Sequence, residues 1–381
     1  MNSTRYPFWV KRIYRFLRYS DERKRFFREI KIKRAQNDNL KSNFDPVCKN
    51  LIVFFVPGAD RKTGLETISG GVISLVSLCE ESRKLRAIHQ AETLMCIFPR
   101  DFLFIKYKNF ENETDLFRFE QLPDYFKSVN KLILHVPELL VPYLKYLLLQ
   151  PELIWLNKIQ HVHINVVNAS ILLMPSPSQV DALTEIADKV TITAAHSKYC
   201  TFKERAFYGK PLHKFSAWIS PEQYIFQAYE KKENILVVSP DSSPYREQIL
   251  HVLTGIEELK VVVLQNLSHK EFKEMITKAK WALTFGEGLD GYILEPIFSG
   301  SFGMAVYNED FFTADFKQMP GIYSSYETLR DSIVNDILSL DNAVSYRSAQ
   351  REQFVLCAKH YNYSQYQENI RKFYLEDYTF K

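Results

Sequence analysis

The chain has 381 residues, 46% hydrophobic and 25% charged, with a net charge of +4 and a high aromatic share of 14%. A single hydrophobic core stops growing near ~250 residues, so a chain of this length is expected to form two domains. Five scattered cysteines, Cys48, Cys79, Cys96, Cys200 and Cys357, form no CxxC pair; this argues against a disulfide framework or a zinc site and fits a reducing cytoplasm.

Of the 49 basic residues, 13 fall in residues 1–45 against only 5 of the 45 acidic ones, so the rest of the chain is net negative. Residues 7–34 read as a basic helix with Trp9, Ile13, Phe16 and Leu17 on one side and Lys11, Arg12, Arg15 and Arg18 around them. That pattern suits an anionic membrane surface, and equally a solvated helix packed on the body of the protein. Nucleic acid is not expected as a partner, because the positive charge sits in one appendage without a reading motif. No segment has the ~18 uncharged apolar residues of a span, nor the pattern of a signal peptide, so a cytoplasmic protein, at most peripheral on the membrane, is expected.

From residue 46 the pattern changes to apolar β-branched runs separated by amphipathic stretches, as a parallel sheet covered by helices requires. Strands are predicted at 51–56, 94–98, 131–136, 162–167 and 190–193, with helices over 72–84, 142–149 and 179–189. After Trp218-Ile219-Ser220-Pro221 a second series follows, with strands at 235–238, 260–264, 281–285 and 303–306 and helices over 245–253, 270–279 and 293–298. The expected organisation is a basic extension (1–45), a first α/β domain (46–219), a second (220–362) and a terminal helix (363–381) crossing back to the first.

The segment Phe285-Gly286-Glu287-Gly288-Leu289-Asp290-Gly291-Tyr292 leads into Ile293-Leu294-Glu295-Pro296-Ile297-Phe298-Ser299-Gly300 and reads as strand, glycine-rich turn and helix. The glycines allow close backbone approach, and a helix start there offers N–H groups to an anion such as a diphosphate. Glu295 lies among apolar neighbours, where a carboxylate costs several kcal/mol unless a donor such as a sugar hydroxyl reaches it (about 2–7 kcal/mol for an unpaired polar group).

Two glutamates separated by seven residues, Glu287 and Glu295, with Gly288, Leu294 and Gly300 in place, resemble the E-x7-E segment of retaining GT-B glycosyltransferases of the family 4 type. The resemblance implies an α/β GT-B fold, two Rossmann-like parallel-sheet domains facing a cleft. It assigns the donor ribose to Glu295, and the transferred sugar and diphosphate to Glu287 and the turn Gly288-Leu289-Asp290-Gly291. Asp290 departs from the family, which has glycine there, and stands as a sugar-recognising or solvent-facing residue. By position Arg246 takes the family's phosphate-binding lysine role, and nothing matches the family's arginine. Gly70 and Gly71, opening a helix after Ser69, match the glycine pair that faces the cleft, or serve helix–sheet packing.

The implied function is transfer of a sugar from a nucleotide-sugar to a glycan or lipid-linked acceptor in cell-surface polysaccharide assembly, with no cofactor; without an Asp-x-Asp triplet, no metal is expected. An inverting transferase or nucleotide-sugar epimerase remains open, with His135 or Asp60 as base. So does a non-catalytic scaffold. The Gln265–His269 loop is explained by Ser268 capping a helix with Glu271 three residues on.

Overall fold

The computed structural model describes residues 18–59, 66, 69–99, 103–108, 112–216 and 218–381. Helix α1 (Ser20–Asn43) comes first. Trp9, Ile13, Phe16, Leu17, Lys11, Arg12 and Arg15 lie outside the described residues, as does Asp60. The helix runs nine residues beyond the expected end at 34, and polar contacts dock its second half. Buried Gln36 donates to the Leu116 carbonyl (2.8 Å), and Arg118 donates to Gln36 (3.1 Å) and to Asn37 (3.0 Å). This half of the extension therefore packs on the body of the protein, whereas Phe27 remains exposed.

The first sheet is built from β1 (Asn50–Val56), helix α2 (Gly70–Lys84), β2 (Glu92–Ile97), β3 (Leu116–Arg118), β4 (Lys131–Pro137), β5 (His161–Asn168), β6 (Lys189–Ala194), helix α3 (Phe202–Tyr208) and β7 (Leu212–Lys214). All pairings are parallel, in the order β3-β2-β1-β4-β5-β6-β7. Leu51 to Val56 are all buried because helices cover both faces, which is why the run is continuously apolar rather than alternating. Each such Leu, Val or Phe contributes roughly 1.5–3 kcal/mol through burial. The helix expected over 142–149 is replaced by a 3-10 segment, Glu138–Tyr143, and one α turn, Leu144–Leu147. Pro142 has no N–H to continue a longer helix.

The second sheet follows with β8 (Glu233–Val238), α4 (Arg246–Leu253), β9 (Lys260–Val263), α5 (His269–Lys278), β10 (Ala279–Leu283), α6 (Gly291–Phe298), β11 (Phe302–Val306) and β12 (Ile322–Tyr323). It is also parallel, in the order β12-β11-β10-β8-β9. Helices α7 (Tyr326–Leu340), α8 (Ala343–His360) and α9 (Tyr363–Tyr374) complete the chain. Strand direction of progression reverses between β1 and β4 in one sheet and between β8 and β10 in the other. At such switch points the carboxyl ends of adjacent strands diverge and leave a crevice.

Helix α9 lies on α2 of the first domain. Tyr374 donates to Ser82 Oγ (2.7 Å), Tyr366 to Ser77 Oγ (3.2 Å) and Tyr363 to Glu81 (2.8 Å). Beyond it, Phe380 pairs antiparallel with Leu212 at the edge of the first sheet. No described helix is long and apolar enough to cross a membrane.

Candidate functional site

The glycine turn emerges from β10 at the switch point of the second sheet, beside the end of β8. Ser239, just after β8, accepts from Phe285 N–H (2.9 Å) and ties the two strand ends together. A Cβ on Gly286 would stand 2.8 Å from Asp241 Oδ2 and 2.9 Å from Asp290 Oδ2, so only glycine fits between those carboxylates. Gly288 has φ +91°, and a Cβ there would sit 2.5 Å from the Phe312 ring. Its conformation and packing account for it without a ligand.

Asp290 is corrected by its hydrogen bonds. Its Oδ1 accepts from Tyr292 N–H (2.8 Å) and its Oδ2 from the Thr284 hydroxyl (2.9 Å), making it the N-cap of α6 rather than a free sugar ligand. The residue keeps some solvent access, but crowding around the carboxyl pushes it up to about 7; Asp241 and Glu287 add to the effect, and Thr284 and Tyr292 oppose it. The helix start expected to offer its N–H groups to a diphosphate thus has one of them occupied from within. Leu289 is also corrected: its side chain is buried in the core shared with the first domain rather than turned to a donor.

Arg246 lies at the turn after β8. Its Nη1 donates to the carbonyls of Ser239 (2.6 Å) and Asp241 (2.9 Å), and its guanidinium lies over the Phe285 ring (5.2 Å). These contacts hold the turn after β8 in shape and engage one of the two terminal nitrogens of the guanidinium.

The two glutamates rest on different neighbours. Glu295 is buried one turn into α6, its Oε1 2.8 Å from where a Gly291 Cβ would be, so glycine at 291 makes room for the carboxylate. Its Oε2 lies 3.3 Å from His269 Nε2 at the start of α5, and the His269 ring meets Trp218 of the interdomain linker edge to face (5.7 Å). Burial and then the Glu295 charge hold the Tyr224 hydroxyl well above its usual range. Ser268 and Glu271 form the expected capping box immediately before this histidine.

Glu287 faces the first domain. Ser170, just after β5, donates to Glu287 Oε1 (3.1 Å). The backbone N–H groups of Ala169 (3.2 Å) and Ser170 (3.1 Å) donate to Glu138 Oε1. Glu138 follows β4 at the first sheet's switch point and is buried; burial raises its pKa, and the Glu287 charge adds to the shift. Burial raises Glu287 as well, with Ser170 opposing and Asp241 adding. Gly71 approaches Ala169, with an imagined Cβ 3.8 Å from the Ala169 Cβ, while Gly70 has nothing within 4 Å among the described residues. Packing against the described residues therefore does not require either glycine, and the start of α2 lies next to the Glu138–Ser170–Glu287 chain.

His135 is the third correction. It is fully buried, stacked on Phe54 (4.1 Å), and its Nδ1 accepts from Asn165 (3.0 Å). Its Nε2 then carries the proton toward the Tyr374 oxygen (3.3 Å), beneath α9. Burial holds its pKa well below the usual histidine range, so it is a neutral core residue rather than a cleft base.

Glu138, Ser170, Asp241 and His269 were not singled out as site residues from sequence. The first two sit just past apolar strands, a position that marks the carboxyl edge of a parallel sheet. Among the described residues no group of three or more His, Cys, Asp or Glu is arranged to hold a metal ion.

Two parallel-sheet Rossmann-like domains, joined near residue 220 and meeting at their switch-point edges, make this a GT-B fold. Sucrose-phosphate synthase from Thermosynechococcus elongatus shares it, with a TM-score of 0.54 over 86% of this chain and 98% of that one, at 10% identity. OtsA without ligand (TM-score 0.46, 10% identity, 86% of this chain and 99% of that one) and Anabaena HepE with UDP (0.46, 10%, 86% and 100%) also match. No known family profile and no curated protein matches the sequence.

Proposed function

We propose that the chain is a glycosyltransferase that takes a sugar from a nucleotide-sugar and passes it to an acceptor held by the first domain. The observation that carries this is the Glu295 carboxylate, buried on α6 with His269 at 3.3 Å and space kept for it by Gly291. A carboxylate held in this way accepts from paired hydroxyls, as on a ribose, more strongly than a solvated one. Glu287, on the same turn, reaches Ser170 across the cleft, which sets it between donor and acceptor halves. Catalysis is then mainly electrostatic: the start of α2 at Gly70-Gly71 stabilises charge on the departing diphosphate, and closure of the cleft excludes water. The proposal has the transfer retaining and without a resident metal. Its acceptor is a glycan or lipid-linked sugar in polysaccharide assembly on the cytoplasmic side, with residues 7–34 as the contact to an anionic membrane.

Binding of UDP-, GDP-, dTDP- and CMP-sugars to the wild type and to Glu295→Ala tests the donor site. Ligand at about 100-fold over Kd stabilises the fold by ~2.7 kcal/mol. The expected result is stabilisation by one nucleotide class, absent in the variant; no response from the wild type to any of them would defeat the proposal.

A second function, a non-catalytic GT-B scaffold, is favoured by one feature. Asp241 and Asp290 flank Gly286, and Arg246 spends its Nη1 on carbonyls rather than facing a diphosphate. Binding of a nucleotide-sugar without release of the nucleotide, across a panel of acceptors, would select that function.

A further inference from the structure

A small recess opens between the domains beside Leu289 of the glycine turn. Its walls include His196 and Lys198 after β6, Lys214 at the end of β7, Leu289 of the turn, Phe311 and His360. Both lysines stand at the carboxyl edge of the first sheet. Lys214 is half-buried, and Lys198 is exposed at the rim. Neither pairs with a carboxylate among the described residues. The nearby Asp315 is already taken, by His360 (2.8 Å) and Lys359 (3.3 Å). Burial pulls the Lys214 amine below its ordinary value, and burial, then the Lys214 charge, bring His196 down to about 4.

A partly desolvated ammonium without a counter-ion is unfavourable in the empty protein, and an anion entering beside it recovers that cost. Apolar Leu289 and Phe311 limit the water that would otherwise screen the charge, so the attraction is stronger here than at an exposed lysine. Neutral His196 contributes hydrogen-bonding capacity without adding charge.

We propose that this recess binds a phosphate or carboxylate group carried by the acceptor, with Lys214 as its main contact and Lys198 guiding it in. The acceptor assignment rests on the glycosyltransferase function, because Leu289 places the anion against the turn that presents the donor sugar. The anion site itself does not.

Titration calorimetry at constant ionic strength tests it with inorganic phosphate, glucuronate and glucose, on the wild type, Lys214→Met, Lys198→Ala and Glu295→Ala. Phosphate or glucuronate is expected to bind the wild type and Glu295→Ala, and glucose to neither. Lys214→Met should bind the anion about tenfold more weakly, the loss of one charge-assisted hydrogen bond, while still binding nucleotide-sugar. Lys198→Ala, at an exposed position that folding does not need, should bind it about threefold more weakly through lost attraction alone. The relative affinity of phosphate and glucuronate identifies which acidic group the site prefers. Equal anion binding in wild type and both lysine variants, or none in the wild type, would overturn the proposal. So would anion binding lost in Glu295→Ala but kept in Lys214→Met, which would place the anion in the donor site. Anion binding that follows the lysines in a protein that binds no nucleotide-sugar would uphold the anion site and remove the donor function.

Discussion

Ser170 and Glu287 meet across the cleft at 3.1 Å, the hydroxyl of one domain donating to the carboxylate of the other. The same Ser170 gives its backbone N–H to Glu138, so one residue ties together two carboxylates that repel each other. Tyr199 adds a second link by donating to the Asp310 carbonyl.

Removing that hydroxyl should loosen the turn. Ser170→Ala is expected to lose about 1 kcal/mol of coupling, raising amide exchange of residues 286–290 about fivefold without altering the global melt. Hydrogen-exchange mass spectrometry reads this directly; unchanged exchange would mean the contact contributes nothing to closure.

Asp290 should make stability depend on pH in a definite direction. Its folded pKa of about 7 lies above the ordinary 3.8, so the folded state binds the extra proton. The associated stability is present at low pH and is lost as pH rises from about 4 to about 7. Asn caps a helix as well as Asp does but does not ionise. Asp290→Asn should therefore match the wild type near pH 4 and exceed it at pH 8 by on the order of 2 kcal/mol, allowing for solvent screening. Urea melts at the two pH values would show it, and a constant difference would refute it.

The glycines separate into two kinds. Gly288→Ala must strain φ +91° and displace Phe312, costing about 2–4 kcal/mol by thermal or urea melt. Gly70→Ala meets no atom of the described residues within 4 Å and should change stability by less than ~0.5 kcal/mol, yet weaken nucleotide-sugar binding if the start of α2 faces the diphosphate. A Gly70→Ala protein with wild-type stability and wild-type affinity would remove α2 from the donor site.

His269 should act through Glu295. His269→Ala leaves a buried carboxylate without its ring partner, and donor affinity is expected to fall about tenfold while acceptor affinity is unchanged. Fluorescence or calorimetric titration with the nucleotide-sugar that the wild type binds would measure it.

The two sheets were legible because their central strands are buried on both faces and therefore almost wholly apolar, as in Leu51–Val56 and, His135 apart, Leu132–Val136. Edge strands β3, β7 and β12, of three, three and two residues, are too short to show a period. The burial of Glu295 was legible from its place among apolar residues on α6. Partners such as Ser170, Glu138 and His269 were not, since their meaning depends on which strand ends the fold brings together. Asp290 and His135 misled for one shared reason. A polar side chain near a predicted turn or strand end satisfies the backbone or the core at least as often as it faces a ligand, and sequence does not show the direction in which it turns.

The pairing of Phe380 with Leu212 has a consequence for synthesis. The half of the protein made first is closed by residues 363–380, so its outermost strand and the tyrosine-rich seam over α2 stay uncovered until those residues have been made. A translation product stopped before α9 would carry an intact second half beside a first half whose edge and apolar seam stay open, a species that quality control can recognise by that exposed seam.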